Sequence, residues 1–345
     1  FAGLALFGLP LECAFPEVRP RRVGTRAVRE REGPSDRSVI AAVTPGGLSR
    51  GVRPGMDESE AMARCPELIV RDRDRDREVE LLSRAAEALM VFGPEVELGA
   101  SGCLMVEHGR SARAVARRMG RAHIEDADVA AALLELFDEL GHDVAVVIAS
   151  EPDTCRTLLQ APARFGRPGW ECVDDSRERL ARCPLDELFW ADPGDVELRS
   201  RLREVCAELR LLGLQTVSDF VALGALPQRF SDVERILKDR ALARRVRPLR
   251  PYVARTSLVE DFELQRGTEN IEPLMFIVRR LVHRLVLRME GRSRATTRLR
   301  LVLRYEPGLE NTLSVDDGPG LAPPLQRCRV VDEIDADLLQ HGFRV

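Results

Sequence analysis

The chain has 345 residues, 44% of them hydrophobic and 31% charged, with a formal net charge of −4. That length is a soft prior for two or three domains, and the balance is that of a soluble globular protein. No apolar run approaches the roughly 18 to 20 residues of a membrane span, which fits no membrane partner. The eight cysteines form no Cys-x-x-Cys pair and the five histidines are scattered, so they offer no zinc ligand set and suit a reducing cytoplasm.

The opening FAGLALFGLPLE has no basic leader and contains Pro10, so it reads as a first strand and turn, not a signal peptide. With no initiator Met, the sequence reads as a fragment. Residues 15–40 are polar and Arg-rich and lead into SVIAAV, a strand. TPGGLSRGVRPGM reads as a loop. The helix DESEAMARC follows, with Asp57 as N-cap, Glu60 completing a capping box and Pro66 ending it. ELIVRDRDRD is a short strand running into a solvated charge tract. EVELLSRAAEALMV, at 78–91, has the spacing of an amphipathic helix. ELGASGCLMVE, at 97–107, is a β-hairpin turning on Gly99, Ala100, Ser101 and Gly102. Helices over about 110–121 and 125–141, a buried strand in DVAVVIAS and a helix from Asp153 complete an α+β region with a small sheet and covering helices.

Around 162–176 the composition shifts to Pro, Gly, Trp and Asp, and a domain boundary is expected there. Residues 177–245 read as all-helical. From Pro248 the pattern is β-α-β-β: an extended YVARTSLVEDFEL, the long helix IEPLMFIVRRLVHRLVLRMEG, and strands in TTRLRLVLRYE and RCRVVDEID. This gives an antiparallel sheet with a helix on one face.

From Arg235 to Arg304 there are 18 Lys/Arg against 7 Asp/Glu. Such a stretch suits a polyanion, or else is a solvated helical face. Lys238 is the only lysine, so a phosphate-gripping or catalytic lysine has one possible position. In LRLLGLQTVSDFVAL (209–223) one helix ends at Gly213 and a second begins near Thr216. The turn through Gly213, Leu214 and Thr216 presents backbone N–H groups that suit a DNA phosphate, or it is an ordinary helical hairpin. In RATTRLRLVLRYE, Leu299, Leu301, Leu303 and Tyr305 alternate with Arg298, Arg300, Val302 and Arg304. With Arg294 just upstream, the arginine face would lie well along a DNA backbone, the alternative being a solvated sheet face.

These segments, in this order, resemble the Y-family translesion DNA polymerases over nearly the whole chain, and most closely the degenerate ImuB-type members of bacterial mutasomes. The resemblance is carried by GVRPGMDESEAMARCPELIVRDRD (51–74), LGHDVAVVIASEPDTCRTL (140–158), the 209–223 hairpin and the C-terminal β-α-β-β segment. It implies an α+β right hand: palm at 1–11 and 75–165, fingers at 12–74, a helical thumb at 166–247 with a helix-hairpin-helix-like motif, and a little finger at 248–345 with an antiparallel sheet. The departures bear on function. Active members carry a metal-binding Asp where this chain has Ala5, and an Asp-Glu pair where it has Gly102 and Cys103. They hold the incoming triphosphate through a Tyr and an Arg where it has Pro45 and Leu48, and their palm-helix lysine has no counterpart here.

The expectation is therefore a chain with no catalytic, nucleotide or metal site and no cofactor. The resemblance implies a DNA-binding adaptor in SOS-induced, error-prone translesion synthesis and DNA repair. Its implied partners are primer-template DNA, the β sliding clamp, an error-prone C-family polymerase (ImuC) and the RecA-like ImuA, in a bacterial cytoplasm near the nucleoid. No Gln-x-x-hydrophobic-aromatic clamp peptide stands out before Val345. Two other readings stay open: an active polymerase using Mg2+ on displaced acids such as Glu12 and Glu107, and a protein scaffold without DNA binding.

Overall fold

The computed structural model describes residues 1–16, 24–32, 37–99, 102–160, 168–190, 195–244, 248–254, 258–268, 271–296, 299–305 and 325–332. It divides into two compact units, Phe1–Tyr252 and Val253–Val345.

The first unit is built on a five-stranded sheet of β1 (Ala2–Ala5), β5 (Val96–Leu98), β6 (Cys103–Val106), β7 (Ala145–Ile148) and β8 (Gly169–Cys172), in the order β5-β6-β1-β7-β8. Only the β7–β8 pair is parallel. β1 is the central strand and is wholly buried, which suits its apolar Ala-Gly-Leu-Ala sequence. Alternate residues point to opposite faces. Leu4, Leu104 and Val146 share one face, where α4 (Arg75–Leu89) and α6 (Asp126–Leu140) pack. α6 buries Val129, Ala130, Leu133, Leu136, Phe137 and Leu140, a helical stripe, and opens on a capping box of Glu125 and Asp128. Ala5, Met105, Ala145 and Val147 lie on the other face with Cys155, Leu158 and Leu159 of α7 (Pro152–Leu158) and its end. Gly3 permits that packing, because a Cβ there would lie 2.8–2.9 Å from Leu159 Cδ1, Cys155 Cβ and Met105 Sδ.

The strand β8 was not legible: its Gly-Trp-Glu-Cys sequence lies inside the Pro- and Gly-rich stretch expected to separate domains. The sheet therefore continues past residue 165, and helices come after it. These are α8 (Ser176–Ala181), α9 (Val196–Leu211), α10 (Val217–Ala222) and α11 (Ser231–Ala241), with 3-10 turns at Leu185–Leu188 and Gln228–Phe230. Their core runs through Leu202, Val205, Leu209, Val217, Phe220, Phe230, Val233 and Leu237 and joins the α7 face of the sheet.

A second sheet, β3-β2-β4, is formed by β2 (Arg26–Glu32), β3 (Arg37–Val43) and β4 (Ile69–Asp72), with α1 (Leu9–Ala14), α2 (Pro45–Ser49) and α3 (Glu58–Arg64) around it. Here the sequence reading is corrected in four places. β2 was missed because Arg-Ala-Val-Arg-Glu-Arg-Glu lacks a hydrophobic alternation. α2 is a short helix within the expected loop. Asp57 is the N-cap residue of α3, but its side chain makes no cap hydrogen bond; its backbone forms a bridge with Val39 instead. The charge tract after β4 is also not a solvated connector. Arg73 pairs with Glu30 at 2.9 Å and Glu78 at 2.7 Å, and α4 starts at Arg75 behind an Asp74 cap.

Across the same sheet Arg29 bonds both oxygens of Glu58, at 2.8 and 2.9 Å, and Asp72 at 2.7 Å, while Ser38 Oγ donates to Glu58. The Ser38 hydroxyl and Arg29 hold the Glu58 carboxyl below its ordinary 4.5, and Arg29 does the same for Asp72. A carboxyl depressed in the folded chain adds stability above its unfolded value, and that stability is lost as pH falls through the folded value. Asp72 is largely exposed, so Glu58 carries most of the effect. Thermal melts followed from neutral to acid pH should show stability falling below about pH 4.5, and Arg29→Met should flatten that acid limb. An unchanged limb would refute the assignment.

The second unit has a sheet β10-β11-β9 of β9 (Val259–Thr268), β10 (Leu299–Tyr305) and β11 (Leu325–Asp332), all antiparallel, under α12 (Ile271–Gly291). Leu274, Ile277, Val278, Leu281, Val282, Leu285 and Met289 form the buried stripe of α12 with Leu258 and Phe262. Arg288 is buried there, donating to Val259 O at 2.8 Å and Glu260 Oε1 at 2.5 Å.

Candidate functional site

The positions that the resemblance assigns to metal-binding acids come together in the first unit. Ala5 and Cys103 are register partners across β1 and β6, and the Leu6 N–H donates to Gly102 O at 2.9 Å. The surroundings are apolar. Ala5 is 5% exposed and belongs to the α7-face cluster, against which Phe7 and Cys103 pack. Burial pushes the Cys103 thiol up to about 12, so it is neutral at physiological pH. Gly102 has φ +78°, and a Cβ there would lie 3.0 Å from Leu6 O. The turn thus favours glycine at a position where the resemblance implies a carboxylate. Ala100 and Ser101 lie outside the described residues. Among the described residues no cluster of three His, Cys, Asp or Glu side chains has a metal-binding arrangement.

The acids considered as displaced ligands do not converge. Glu12 is at the Ala5 end of the sheet but is engaged: its Oε2 lies 2.6 Å from His142 Nδ1, and its Oε1 accepts from the Asp143 N–H at 3.3 Å. Both side chains of that pair are buried. Glu107 follows Val106, which pairs with Ala2 at the other end of β1. With a rise of about 3.3 Å per residue, that end is roughly 10 Å away along the strand. Its carboxylate accepts from the Arg110 N–H at 3.2 Å.

A third acid, Glu97 on β5, was not singled out in the sequence and is the best-connected of all. It is 3% exposed and takes both carboxylate bonds from Arg156 Nη2 at 3.0 Å, plus the Arg250 N–H at 2.7 Å. Arg156 also reaches Asp153 at 2.5 Å. The Trp190 ring lies 3.6 Å from the Arg240 guanidinium and 6.0 Å from that of Arg156. The Tyr252 N–H donates to Val96 O at 2.6 Å, so residues 249–252 stay on the edge of the sheet. This cluster joins β5, α7, α11 and the tail of the unit. It is a charge-compensated structural core and leaves no acid spare for a metal.

The positions to which the resemblance assigns the triphosphate contacts lie on α2. Pro45 is its first residue and exposed, and Leu48 is 37% exposed. Neither offers a donor to a triphosphate. The nearby Arg53 folds back, with Nη1 donating to Leu48 O at 2.5 Å and Val52 O at 2.9 Å.

The helical hairpin forms as expected. α9 ends before Gly213, which has φ +85°, and Thr216 caps α10 in a capping box with Asp219. The phosphate-binding idea meets a restriction there. The N–H groups of Gly213 and Leu214 go to Arg210 O and Leu209 O, and that of Val217 to Cys183 O. Those of Gln215 and Thr216 go to Asp219 Oδ2, and that of Asp219 to Thr216 Oγ1. A phosphate here would meet the half-buried Thr216 and exposed Ser218 hydroxyls or displace Asp219, which the Thr216 and Gln215 contacts hold below the usual carboxylate range. The tip also shows Leu211 at 88% and Leu212 at 62% exposure.

In the second unit Arg294 is half-buried just after α12, and its N–H donates to Met289 O. Arg300 is exposed on β10. Arg304 is in β10, and nothing is described of its side chain; Arg298 lies outside the described residues. The expected inward face is corrected in part: Leu299 and Leu301 are 42% and 45% exposed. α12 packs on β9 and β11. A helix about 10 Å wide covers two strands spaced about 4.8 Å apart, so β10 lies beyond its cover.

No family model matches the sequence, and no curated protein does so significantly. The structure is similar to the insertion ternary complex of Dbh DNA polymerase, with a TM-score of 0.53 at 13% identity, over 97% of this chain and 99% of that one. It is similar also to DinB from Sulfolobus solfataricus, with a TM-score of 0.51 at 13% identity, over 96% and 98% of the two chains. The chain therefore has the mixed α+β fold seen in these DNA polymerases.

Proposed function

We propose that this chain is a non-catalytic, DNA-binding counterpart of the Y-family polymerases that acts as an adaptor in error-prone translesion synthesis. One observation carries the reading. Ala5 and Cys103 pair in register beside Gly102, at the positions where the resemblance puts a polymerase's carboxylates, and the place is apolar, with Gly102 in a left-handed turn. Phosphoryl transfer needs metal ions to neutralise charge on the phosphates, held by carboxylate oxygens. Glycine has no ligand side chain, and a neutral thiol is a poor ligand for Mg2+. DNA contact is assigned to the helical hairpin at Gly213, Leu214 and Thr216 and to Arg294, Arg298, Arg300 and Arg304. The β sliding clamp, an ImuC-type polymerase, a RecA-like ImuA and a place near the bacterial nucleoid are proposed on the resemblance alone. Among the described residues no helix is long and apolar enough to cross a membrane.

Two measurements on one sample test this. Primer extension with Mg2+ or Mn2+ should give no templated incorporation. Binding to primer-template DNA should weaken with salt, with a log–log slope of about −0.7 to −0.9 per phosphate neutralised. Reversing Arg298, Arg300 and Arg304 to Glu should flatten that slope by about 2 to 3. The competing reading, an active polymerase, rests on the likeness to a polymerase ternary complex. Robust extension abolished by Glu107→Ala would establish it, and a salt slope untouched by the reversal would remove the second unit from the DNA interface.

A further inference from the structure

Five arginines fall within residues 110–121, on and around α5 (Ala112–Arg118), and all are exposed: Arg110, Arg113, Arg117, Arg118 and Arg121. The segment follows β6 at the Ala2 end of the sheet, away from the Ala5–Cys103 end. Arg110 pairs with Glu95 at 3.1 Å and Arg121 with Asp128. Arg113 and Arg117 stand one turn apart on the same helix face, and no acid occupies the first turn of α5. Like charges at that spacing repel. The helix dipole favours Arg117 and Arg118 in the last turn but disfavours Arg113 in the first. The position of Arg113 is therefore a stability cost that nothing in α5 offsets, at a solvent-facing site where any polar residue would serve.

The patch is also short and rimmed by acid. Glu107 and Glu95 lie at the Arg110 side, and the exposed Glu125 and Asp126 follow, with Asp126 Oδ1 3.9 Å from His108 Nε2. A duplex, carrying one charge per about 1.7 Å, would press phosphates against those carboxylates. A peptide with a few spaced acids would not. Acids one helical turn apart, or alternate along a strand, sit about 5–7 Å from each other, which matches the Arg113–Arg117 spacing. We propose that the Arg113–Arg117 stripe is a docking site for a short acidic peptide segment of a partner protein. It does not depend on the DNA-binding reading, since it uses neither the helical hairpin nor the second unit.

The test is fluorescence anisotropy of the full chain with a labelled Gly/Ser peptide carrying spaced glutamates. The same peptide with glutamines and a labelled single-stranded DNA serve as comparisons. The glutamate peptide should bind and the glutamine peptide should not. Arg113→Glu should weaken the glutamate peptide by at least about tenfold, leave DNA affinity unchanged, and raise the melting temperature, because it places a Glu one turn before Arg117 near the helix start. Arg113→Gln with Arg117→Gln should weaken the peptide without that rise. Arg64→Gln with Arg182→Gln, an equal change of net charge elsewhere, should leave peptide binding as it was. The proposal is overturned if the glutamate peptide does not bind, if Arg113→Glu leaves its binding intact, if the Arg64/Arg182 variant weakens it equally, or if Arg113→Glu weakens DNA binding by the same factor.

Discussion

Glu97→Ala should destabilise the first unit by about 3–5 kcal/mol. Glu97 and Arg156 have side chains only 4% and 8% exposed, and Arg156 Nη2 donates to both carboxylate oxygens. Removing the glutamate leaves a buried guanidinium with Asp153 alone and strips the Arg250 N–H of its acceptor. The cost comes from stranding a charge, more than from the attraction lost. Glu97→Gln, which keeps an acceptor but not the charge, should fall between the native chain and the alanine variant. The combined Glu97→Met, Arg156→Leu and Asp153→Asn variant should recover much of the loss, because all three charges leave together. Trp190 reports locally: its Nε1–H donates to Thr157 Oγ1 at 3.0 Å, and Arg240 lies against its ring. Urea unfolding followed by tryptophan fluorescence reads the first unit. A loss under about 1 kcal/mol for Glu97→Ala would mean that the cluster is hydrated like a surface pair.

That cluster also shows where sequence reading stops. α6 and α12 were legible because their stripes and ends are local: the Val129-to-Leu140 spacing, Gly141 after the last turn, and the Leu274-to-Met289 stripe. The 97–107 hairpin was legible for a related reason, since its small-residue turn and flanking strands are adjacent in the chain; Ala5, Gly102 and Cys103 were singled out by the resemblance alone, and the strand register sets Cys103 opposite Ala5. Glu97 and Arg156 are 59 residues apart, and nothing local marks either as the other's partner. β2 and β8 were lost for want of alternation, since β2 satisfies its charges by cross-strand pairing and β8 is a half-exposed edge. On β10 the alternation was real, but the face it pointed to depended on how far α12 reaches across the sheet. The capping hydrogen bonds inside 213–219 are a further case. The turn was visible in Gly213 and Thr216, whereas the loyalty of its N–H groups to Asp219 appears only in three dimensions.

Placing acids at the three positions where the resemblance implies them, as Ala5→Asp, Gly102→Asp and Cys103→Glu together, should yield a less stable protein that still gives no templated incorporation. Ala5 sits in the apolar cluster with α7, so an Asp there would be lodged among apolar side chains. A carboxylate in such a place either costs several kcal/mol or takes up a proton. Gly102 at φ +78° adds about 1–2 kcal/mol for any L side chain, with its Cβ close against Leu6 O. Because the three positions converge, Mg2+ should win back part of the loss, seen as a melting temperature that rises with Mg2+ in the triple variant and not in the native chain. A melting temperature indifferent to Mg2+ would show that the acids do not reach a common ion. Incorporation should stay absent even then, since Pro45 and Leu48 present no hydroxyl and no guanidinium to a triphosphate. Only with Pro45→Tyr and Leu48→Arg added are those contacts also present, so any gain of templated extension should appear at that step. Extension by the triple variant alone would mean that the nucleotide is held by groups other than those on α2, and the non-catalytic reading would then rest on the metal positions alone.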